Sequence, residues 1–218
     1  MKKIFSKFID LLFENSCLIC NEMCGKDFVC KSCERSFIIR NNNFKSFKEI
    51  NVYSWGMYDG KLRDGVIALK AGKKKLVDFF SDRLVYFWSS LPEEIRKRNY
   101  LVHPIPSHKK RIKERGYCQS TLMSKKFAQM TGLAFSDSLV LRKKQTKFMN
   151  NLNNLNERKE NINNAFEIAN PINTKDILVI DDILTSGSTL CEFAKTIHMN
   201  TPDTNIVGLT VAAGDRYN

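Results

Sequence analysis

Residues 177–189 limit what this chain can fold into more than any other stretch. They begin with four apolar residues, three of them β-branched, which predict a buried strand of a parallel sheet. Asp181 and Asp182 follow, at the end of the strand where open α/β sheets bind ligands. A loop of small hydroxyl residues around Gly187 then opens an amphipathic helix, whose first N–H groups and dipole favour an anion. The stretch therefore predicts a phosphate-binding loop beside two carboxylates that can hold a sugar diol.

The spacing in this stretch differs from that of the common nucleotide-binding loops. A P-loop needs a Lys directly before its hydroxyl residue, and Gly187-Ser188-Thr189 has none. The stretch instead resembles the phosphoribosyl-diphosphate (PRPP) motif of type I phosphoribosyltransferases, in which an apolar run, two acids and two further residues precede Thr-x-Gly-x-Thr. The alternative is a surface turn after a strand, capped by Asp181 or Asp182.

This resemblance implies roles for individual residues. In the family the two acids hold the ribose 2′- and 3′-hydroxyls, and Asp181 and Asp182 occupy those positions here. The residues that would wrap the 5′-phosphate are Thr185, Ser186, Gly187, Ser188 and Thr189. Relatives that salvage 6-oxopurines place an Asp base where this chain has Thr185, which argues against that class of acceptor. Orotate transferase, whose loop also carries Thr there, remains compatible.

Five of the seven cysteines lie close together near the N-terminus. Cys17-x-x-Cys20 and Cys30-x-x-Cys33 are two knuckles that can bring four thiolates onto one Zn²⁺. Four protein ligands leave no position for a water, so we predict a structural zinc that contributes folding energy to this short segment. Cys24 breaks the pairing and is either a bystander or a substitute ligand.

The N-terminus and the use of cysteine predict a cytoplasmic protein. Lys7 and Asp10 interrupt what would be the apolar region of a signal peptide, and no small-residue cleavage site follows. No window approaches the ~20 apolar residues of a membrane span. Clustered cysteines in the cytoplasm indicate metal rather than disulfides. Apolar residues between Phe5 and Phe13 predict a short helix that packs on the body or, alternatively, lies on a membrane surface.

The excess positive charge lies in the middle of the chain. The formal net charge is +12, and residues 61–147 contain 21 Lys and Arg against 7 Asp and Glu. This imbalance fits a polyanion or a highly phosphorylated ligand. A Lys-rich bias of the whole proteome is the alternative, since Lys outnumbers Arg.

A second predicted strand, residues 101–106, ends in proline and is followed by a basic loop. A parallel strand here would end at the same sheet edge as Asp181, so the loop would face the anionic end of a ligand held there. In type I transferases the equivalent loop holds the diphosphate. The candidates for that role are Pro106, Ser107, His108, Lys109, Arg115 and, from a preceding helix, Lys70. His103 and His108 also invite a catalytic interpretation, although a lone His is more often packed or exposed.

Two polar segments are predicted to lie outside regular structure. Residues 40–46 are polar and Asn-rich, and we interpret them as a linker. Eight of the fifteen residues 150–164 are Asn, which predicts a mobile loop that closes over a ligand. We place the zinc module and its preceding helix in residues 1–45 and the phosphoribosyltransferase-like domain in residues 46–218.

Several motifs together resemble the ComF family of competence proteins. They are the two cysteine knuckles, Pro104-Ile105-Pro106, Arg115-Gly116-Tyr117-x-Gln119, Arg158-x-x-Asn161-x-x-x-Ala165-Phe166 and the loop after Asp181-Asp182. The family joins a zinc-binding N-terminus to a phosphoribosyltransferase-like domain, and its members act in DNA uptake, handling the incoming single strand on the cytoplasmic side. Cys118 and Met149 depart from the family's usual Asn and Gln.

The resemblance implies an α/β fold with a type I phosphoribosyltransferase-like parallel sheet flanked by helices and a small N-terminal zinc-binding module. It also implies binding of PRPP or a related sugar phosphate, with Mg²⁺, and of single-stranded DNA, with other DNA-uptake proteins as possible partners. The alternative is an active phosphoribosyltransferase that transfers ribose 5-phosphate from PRPP to a nucleobase. The sequence identifies no acceptor site, so it leaves catalysis open.

Overall fold

The computed structural model describes residues 15–39, 44–143 and 162–214 of the 218-residue chain. The predicted helix between Phe5 and Phe13 lies outside the described residues. So do Met149, Arg158, Asn161 and most of the Asn-rich segment 150–164.

Strands and helices alternate along most of the chain. The strands are β1 (Phe44–Ser46), β2 (Asn51–Met57), β3 (Leu101–Pro104), β4 (Ala134–Phe135), β5 (Val140–Arg142), β6 (Phe166–Ile168), β7 (Asp176–Leu184) and β8 (Asn205–Ala213). The helices are α1 (Lys31–Arg35), α2 (Gly60–Lys70), α3 (Leu76–Ser90), α4 (Glu93–Arg96), α5 (Lys109–Arg115), α6 (Gln119–Thr131) and α7 (Ser188–His198).

Within the described residues, six strands form one sheet in the order β1-β2-β8-β7-β3-β4. All neighbours in this sheet are parallel except β1, which pairs antiparallel with β2 at one edge. β5 and β6 form a separate antiparallel pair. The prediction of an α/β fold built on a mostly parallel sheet is therefore confirmed. Because β7 and β3 are adjacent and parallel, the segments that follow them emerge at the same edge.

Three details of the sequence interpretation are wrong. Residues 109–115, predicted as part of a basic loop, form helix α5. β7 does not end before the acids but continues through Asp181 and Asp182, because β8 pairs with it as far as Leu184 and Ala213. Phe44–Ser46, predicted as part of a linker, forms β1. The Phe44 ring packs 5.0 Å from that of Tyr53 on β2, and a short polar segment is a common form of edge strand.

The sheet is covered by apolar side chains on both faces. One cluster lies between the sheet and α2, α3 and α6 and includes Leu69, Phe80 and Phe127. The other lies between the sheet, α7 and the β5–β6 pair, and includes Phe166 and Phe193. Side chains alternate along β7 between these clusters, which accounts for its continuous apolar run.

The cysteine segment packs on the first of these clusters. Cys17 and Cys33 are buried within it, together with Val29 and Phe37. Phe37 meets the ring of Trp55 on β2 at 5.8 Å in an edge-to-face arrangement. The cysteine segment therefore packs against the sheet through apolar side chains.

His103 on β3 is fully buried, and both nitrogens of its ring have hydrogen-bond partners in the backbone. Its Nδ1 lies 2.7 Å from the carbonyl oxygen of Pro104, and Nε2 accepts a hydrogen bond from the Val140 N–H at 3.4 Å. A neutral ring satisfies both contacts, whereas a protonated ring would point a second N–H at the Val140 donor. Burial accordingly lowers the pKa of His103 to about 4.

We expect this histidine to make stability fall as the pH falls. The pKa is about 4 in the folded chain and about 6.5 in the unfolded chain, so the unfolded state binds more protons between these values. His103 alone should lower the free energy of unfolding by about 2 kcal/mol between pH 7 and pH 5. Urea denaturation of wild type and His103→Gln at both pH values measures this contribution. Equal pH dependence in the two proteins would contradict it.

Candidate functional site

The loop after β7 has a backbone conformation that favours glycine at its centre. Gly187 has φ +70°, and a Cβ there would lie 2.4 Å from the ring of Phe47. The hydroxyl oxygens of Ser186 and Ser188 are 2.8 Å apart, and the Ser188 N–H donates to Ser186 Oγ at 3.4 Å. The loop thus leads directly into α7, with its serine hydroxyls and the first N–H groups of the helix close together.

Asp182 is the more buried of the two acids, with 4% of its surface exposed. Its Oδ2 accepts a hydrogen bond from Gln119 Nε2 at 2.8 Å and lies 3.2 Å from Lys70 Nζ. Arg115 Nη1 in turn donates to Gln119 Oε1 at 3.1 Å. The carboxylate is therefore held by the ends of α2 and α6, with α5 supporting α6.

Asp181 has a different environment. It is half-buried, and strand alternation directs it towards the face that carries the β5–β6 pair. Burial, together with the neighbouring charge of Asp182, raises the pKa of Asp181 to about 7. The Asp182 N–H donates to Asp181 Oδ1 at 2.9 Å, and Lys70 and Arg142 also oppose this rise. A carboxyl group with such a pKa can exchange a proton near neutral pH.

Arg111 and Arg142 also surround the acids, and sequence reasoning did not single them out. Arg111 interacts electrostatically with both Asp181 and Asp182, and Arg142 with Asp181. Burial lowers the pKa of Arg142 to about 10, which leaves it charged at neutral pH. Both residues lie in basic runs of the sequence, but a basic run alone does not distinguish a buried guanidinium from a solvated one.

The structure divides the predicted diphosphate residues between two places. Lys70 and Arg115 join the contacts around Asp182. The others line a cavity of about 390 Å³ between the basic loop and the β5–β6 pair; they are Pro106, Ser107, His108 and Lys109. Arg142 lines the same cavity and so connects it electrostatically to Asp181. His108 also accepts from the Lys110 N–H at 3.2 Å, as the N-cap of α5.

The loop of residues 185–189 borders another cavity, of about 580 Å³, along α7. Ser186 and Ser188 line it together with Phe47, Cys191 and Lys195. Thr185 and Thr189 are half-buried in the same loop. Ser186 and Ser188, from the predicted PRPP loop, therefore line a different cavity from the predicted diphosphate residues 106–109.

The four predicted zinc ligands form a compact cluster. The Sγ atoms of Cys17, Cys20, Cys30 and Cys33 all lie within 4.8 Å of one another, and every cysteine of the chain is a free thiol. Four sulfur donors at this spacing fit a tetrahedral structural zinc. Cys24 Sγ instead donates to the carbonyl oxygens of Asn15 and Asp27, so it has other partners.

Backbone groups prepare Cys17 to act as a thiolate. The N–H groups of Ile19 and Cys30 donate to its Sγ at 3.4 and 3.3 Å. Burial opposes ionisation, but hydrogen bonds from Cys30, Cys20 and Ile19 outweigh it and lower the pKa of Cys17 to about 6. The thiolate is the form that binds a metal, so these bonds favour the predicted ligand.

Trp55 and Tyr117 are aromatic residues that could stack on nucleic-acid bases, but both have other contacts in the fold. Trp55 is buried, and the Tyr117 hydroxyl donates to the Leu69 carbonyl oxygen. None of the helices in the described part of the chain has the length and apolar character needed to cross a bilayer.

Comparisons with known proteins bear on part of the chain. No family model matches it. DNA utilization protein YhgH of Salmonella typhi is 30% identical over 96 residues, 44% of this chain and 42% of that protein. Competence protein F of Haemophilus influenzae is 31% identical over 97 residues, 43% of this chain and 42% of that protein. The match spans less than half the length of these curated relatives, and over that segment it confirms the resemblance to competence proteins.

Two solved structures of phosphoribosyltransferases are similar to this chain. Adenine phosphoribosyltransferase of Leishmania tarentolae is 11% identical, with 80% of this chain and 95% of that chain covered and a TM-score of 0.34. The enzyme of Trypanosoma brucei is 9% identical, with 86% and 79% covered and a TM-score of 0.31.

We expect the cysteine cluster to hold one zinc ion per chain. Cys30→Ser removes a ligand and should abolish zinc retention and lower the thermal midpoint, because Cys17 and Cys33 belong to the apolar core. Cys24→Ser is the matched control and should retain both properties. Metal analysis of freshly purified protein and thermal unfolding measure the two effects. A zinc content well below one equivalent in the wild type would contradict the assignment.

Proposed function

We propose that this chain binds PRPP or a related sugar phosphate, with Mg²⁺, through Asp181, Asp182 and residues 185–189, and that it acts in DNA uptake by handling incoming single-stranded DNA on the cytoplasmic side of the membrane. The division into a zinc module, residues 1–45, and a phosphoribosyltransferase-like domain, residues 46–218, is part of the same proposal. Other DNA-uptake proteins are its expected partners.

The main support for sugar-phosphate binding is that three cationic side chains lie near Asp181 and Asp182. Lys70 comes from α2, Arg111 from α5 and Arg142 from β5, three elements distant in sequence. Carboxylates accept hydrogen bonds from sugar hydroxyls, and nearby cations balance a diphosphate. A ligand that carries both groups therefore suits this site better than a simple anion, which the two carboxylates would repel.

Binding of single-stranded DNA is supported by the names of the relatives and by the exposed lysines of α5. The matched proteins are named for DNA utilization and competence. Arg111 and Arg115 of α5 interact with the acid site, whereas Lys109, Lys110 and Lys113 are exposed. Exposed lysines bind phosphates of a DNA backbone without regard to sequence. α5 therefore offers single-stranded DNA a contact surface at the rim of the site.

An active phosphoribosyltransferase with an unidentified nucleobase acceptor is the second candidate. The resemblance of residues 177–189 to the PRPP motif favours it, and burial raises the pKa of Asp181, so its carboxyl group could take a proton from an acceptor as the ribosyl bond forms. Diphosphate would leave the ribosyl carbon, and the guanidinium groups of Arg111 and Arg142 would stabilise its developing charge.

We expect the acid pair to be needed for sugar-phosphate binding but not for DNA binding. In the double variant Asp181→Asn with Asp182→Asn, PRPP binding measured by calorimetry with Mg²⁺ should be lost, because amides bind sugar hydroxyls and Mg²⁺ less well. Single-stranded DNA binding should persist. The exposed pair Asp82→Asn with Asp203→Asn changes the charge equally and is the control.

This experiment tests both the assignment of the pocket and the choice between a binding protein and a transferase. Unchanged PRPP binding in the double variant would contradict the assignment of the pocket. Diphosphate release from PRPP in the presence of a nucleobase, lost in the same variant, would establish the transferase instead of a purely binding role.

We expect single-stranded DNA binding to depend on salt and on α5. Lys110→Gln with Lys113→Gln should weaken binding of an oligothymidylate at least tenfold at low salt. It should also reduce the slope of log K against log salt by about 1.4, since each of the two lost phosphate contacts contributes about 0.7. Lys97→Gln with Lys175→Gln, on other exposed positions, is the charge-matched control. Fluorescence anisotropy gives both quantities, and a flat salt response of the wild type would contradict the electrostatic contact.

A further inference from the structure

Helix α5 is attached to the rest of the chain by polar contacts rather than by apolar packing. None of its seven residues is buried, whereas α2, α3, α6 and α7 each bury at least four. Its one apolar side chain, Ile112, is 36% exposed. The helix is held instead by hydrogen bonds, from Arg115 to Gln119 and, just beyond its end, from the Tyr117 hydroxyl to the Leu69 carbonyl oxygen. A helix with so little buried apolar surface separates from the body at a lower cost in free energy than the helices of the core.

One side of α5 borders a cavity. Lys109 and Ile112 of the helix line this cavity of about 390 Å³, and so do Leu141 and Arg142 of β5. A ligand that enters it would therefore touch α5 and β5 at the same time. Such a ligand would supply α5 with contacts that replace the apolar packing present under the core helices.

Repulsion between two guanidinium groups opposes the position of α5 seen in the structure, which we call docked. Arg111 of α5 and Arg142 of β5 interact electrostatically although both are cations, and Asp181 offsets part of this repulsion at each of them. An anion bound near both guanidinium groups replaces the repulsion by two attractions, and it makes both only while α5 is docked. A ligand that binds one of two states more tightly shifts the equilibrium towards that state, so such an anion favours the docked helix.

We propose that α5 couples the two ligands, so that a sugar phosphate bound at the acid pair docks the helix and thereby raises the affinity of the chain for single-stranded DNA. The inference rests on the proposed function. The exposed lysines Lys110 and Lys113 belong to the same helix as Arg111. Once a sugar phosphate has docked α5, a DNA strand binds these lysines without having to order the helix itself. By thermodynamic linkage, DNA raises the affinity for the sugar phosphate by the same factor.

The sign of the effect distinguishes this coupling from simple electrostatics. A bound sugar phosphate adds negative charge close to the lysines that would contact DNA, so charge alone lowers the affinity for a second polyanion. Two independent sites leave that affinity unchanged. Docking of α5 predicts an increase, which neither alternative produces.

The test is the affinity of the wild-type chain for an oligothymidylate, measured by fluorescence anisotropy in Mg²⁺ with and without saturating PRPP. Sodium sulfate at the same ionic strength replaces PRPP in the control, because DNA binding depends on salt. PRPP should lower the Kd for DNA by at least about fivefold, the lower end of the range typical of allosteric coupling. Calorimetric titration with PRPP, with and without saturating DNA, should give the same factor.

Hydrogen exchange and one substitution test the role of α5 itself. PRPP alone should slow exchange of the α5 backbone amides in the wild-type chain by about tenfold, because docking protects them. In Arg111→Gln, at PRPP concentrations that saturate the variant, both effects should fall below about twofold, whereas Arg111→Lys keeps the charge and should retain part of them. Arg96→Gln, on the exposed helix α4, removes one guanidinium group elsewhere and should retain both effects.

Circular dichroism reports whether each variant is folded, and the wild-type measurements decide the inference even if Arg111→Gln is not. Unchanged or weaker DNA binding in the presence of PRPP would overturn the inference and leave the proposed function standing. So would α5 amides whose exchange PRPP does not slow. Failure of the wild-type chain to bind PRPP or DNA would overturn the proposed function, and the inference with it.

Discussion

The pairing of β7 with parallel neighbours on both sides is the constraint on which the rest of the structure depends. β8 pairs with it from Asp176 to Leu184 and β3 from Ile177 to Ile180, and apolar clusters cover both of its faces. Parallel neighbours require crossover connections, so the helices lie on the sheet and the loops that leave β3 and β7 emerge at one edge. The basic loop and the acid pair meet there because of this topology, not because of any local sequence signal.

Burial makes the two adjacent acids chemically different. Asp182 turns towards α2 and α6, where an amide and an ammonium group hold its carboxylate. Asp181 turns towards the β5–β6 pair, where burial and the charge beside it favour its protonated form. Consecutive residues of a strand point to opposite faces, so the same residue type acquires two environments one position apart. The continuation of β7 through both residues is what creates this difference.

The sequence indicated the class of fold correctly, and it predicted a candidate site at the edge where the loop after β7 emerges. A β-branched apolar run followed by two acids and a glycine-centred loop predicts a strand, a ligand-binding edge and a helix in that order. Two closely spaced cysteine knuckles likewise predict a four-thiolate cluster from spacing alone. The length of β7 and the existence of β1 were missed, because hydrogen bonds to a neighbouring strand can include residues such as Asp181 and Lys45, whose local preference for a strand is weak.

The sequence by itself determined the order of strand, loop and helix around the acids, the four sulfur donors and the excess of basic residues in the middle of the chain, since each follows from local spacing or composition. Only the tertiary structure decided which basic residues reach the acids. Lys70, Arg111 and Arg142 belong to elements far apart in the chain, and exposed lysines such as Lys110 have the same local composition. Their partners depend on how the helices pack on the sheet, because an ion pair forms between groups that are close in space, whatever their separation in sequence.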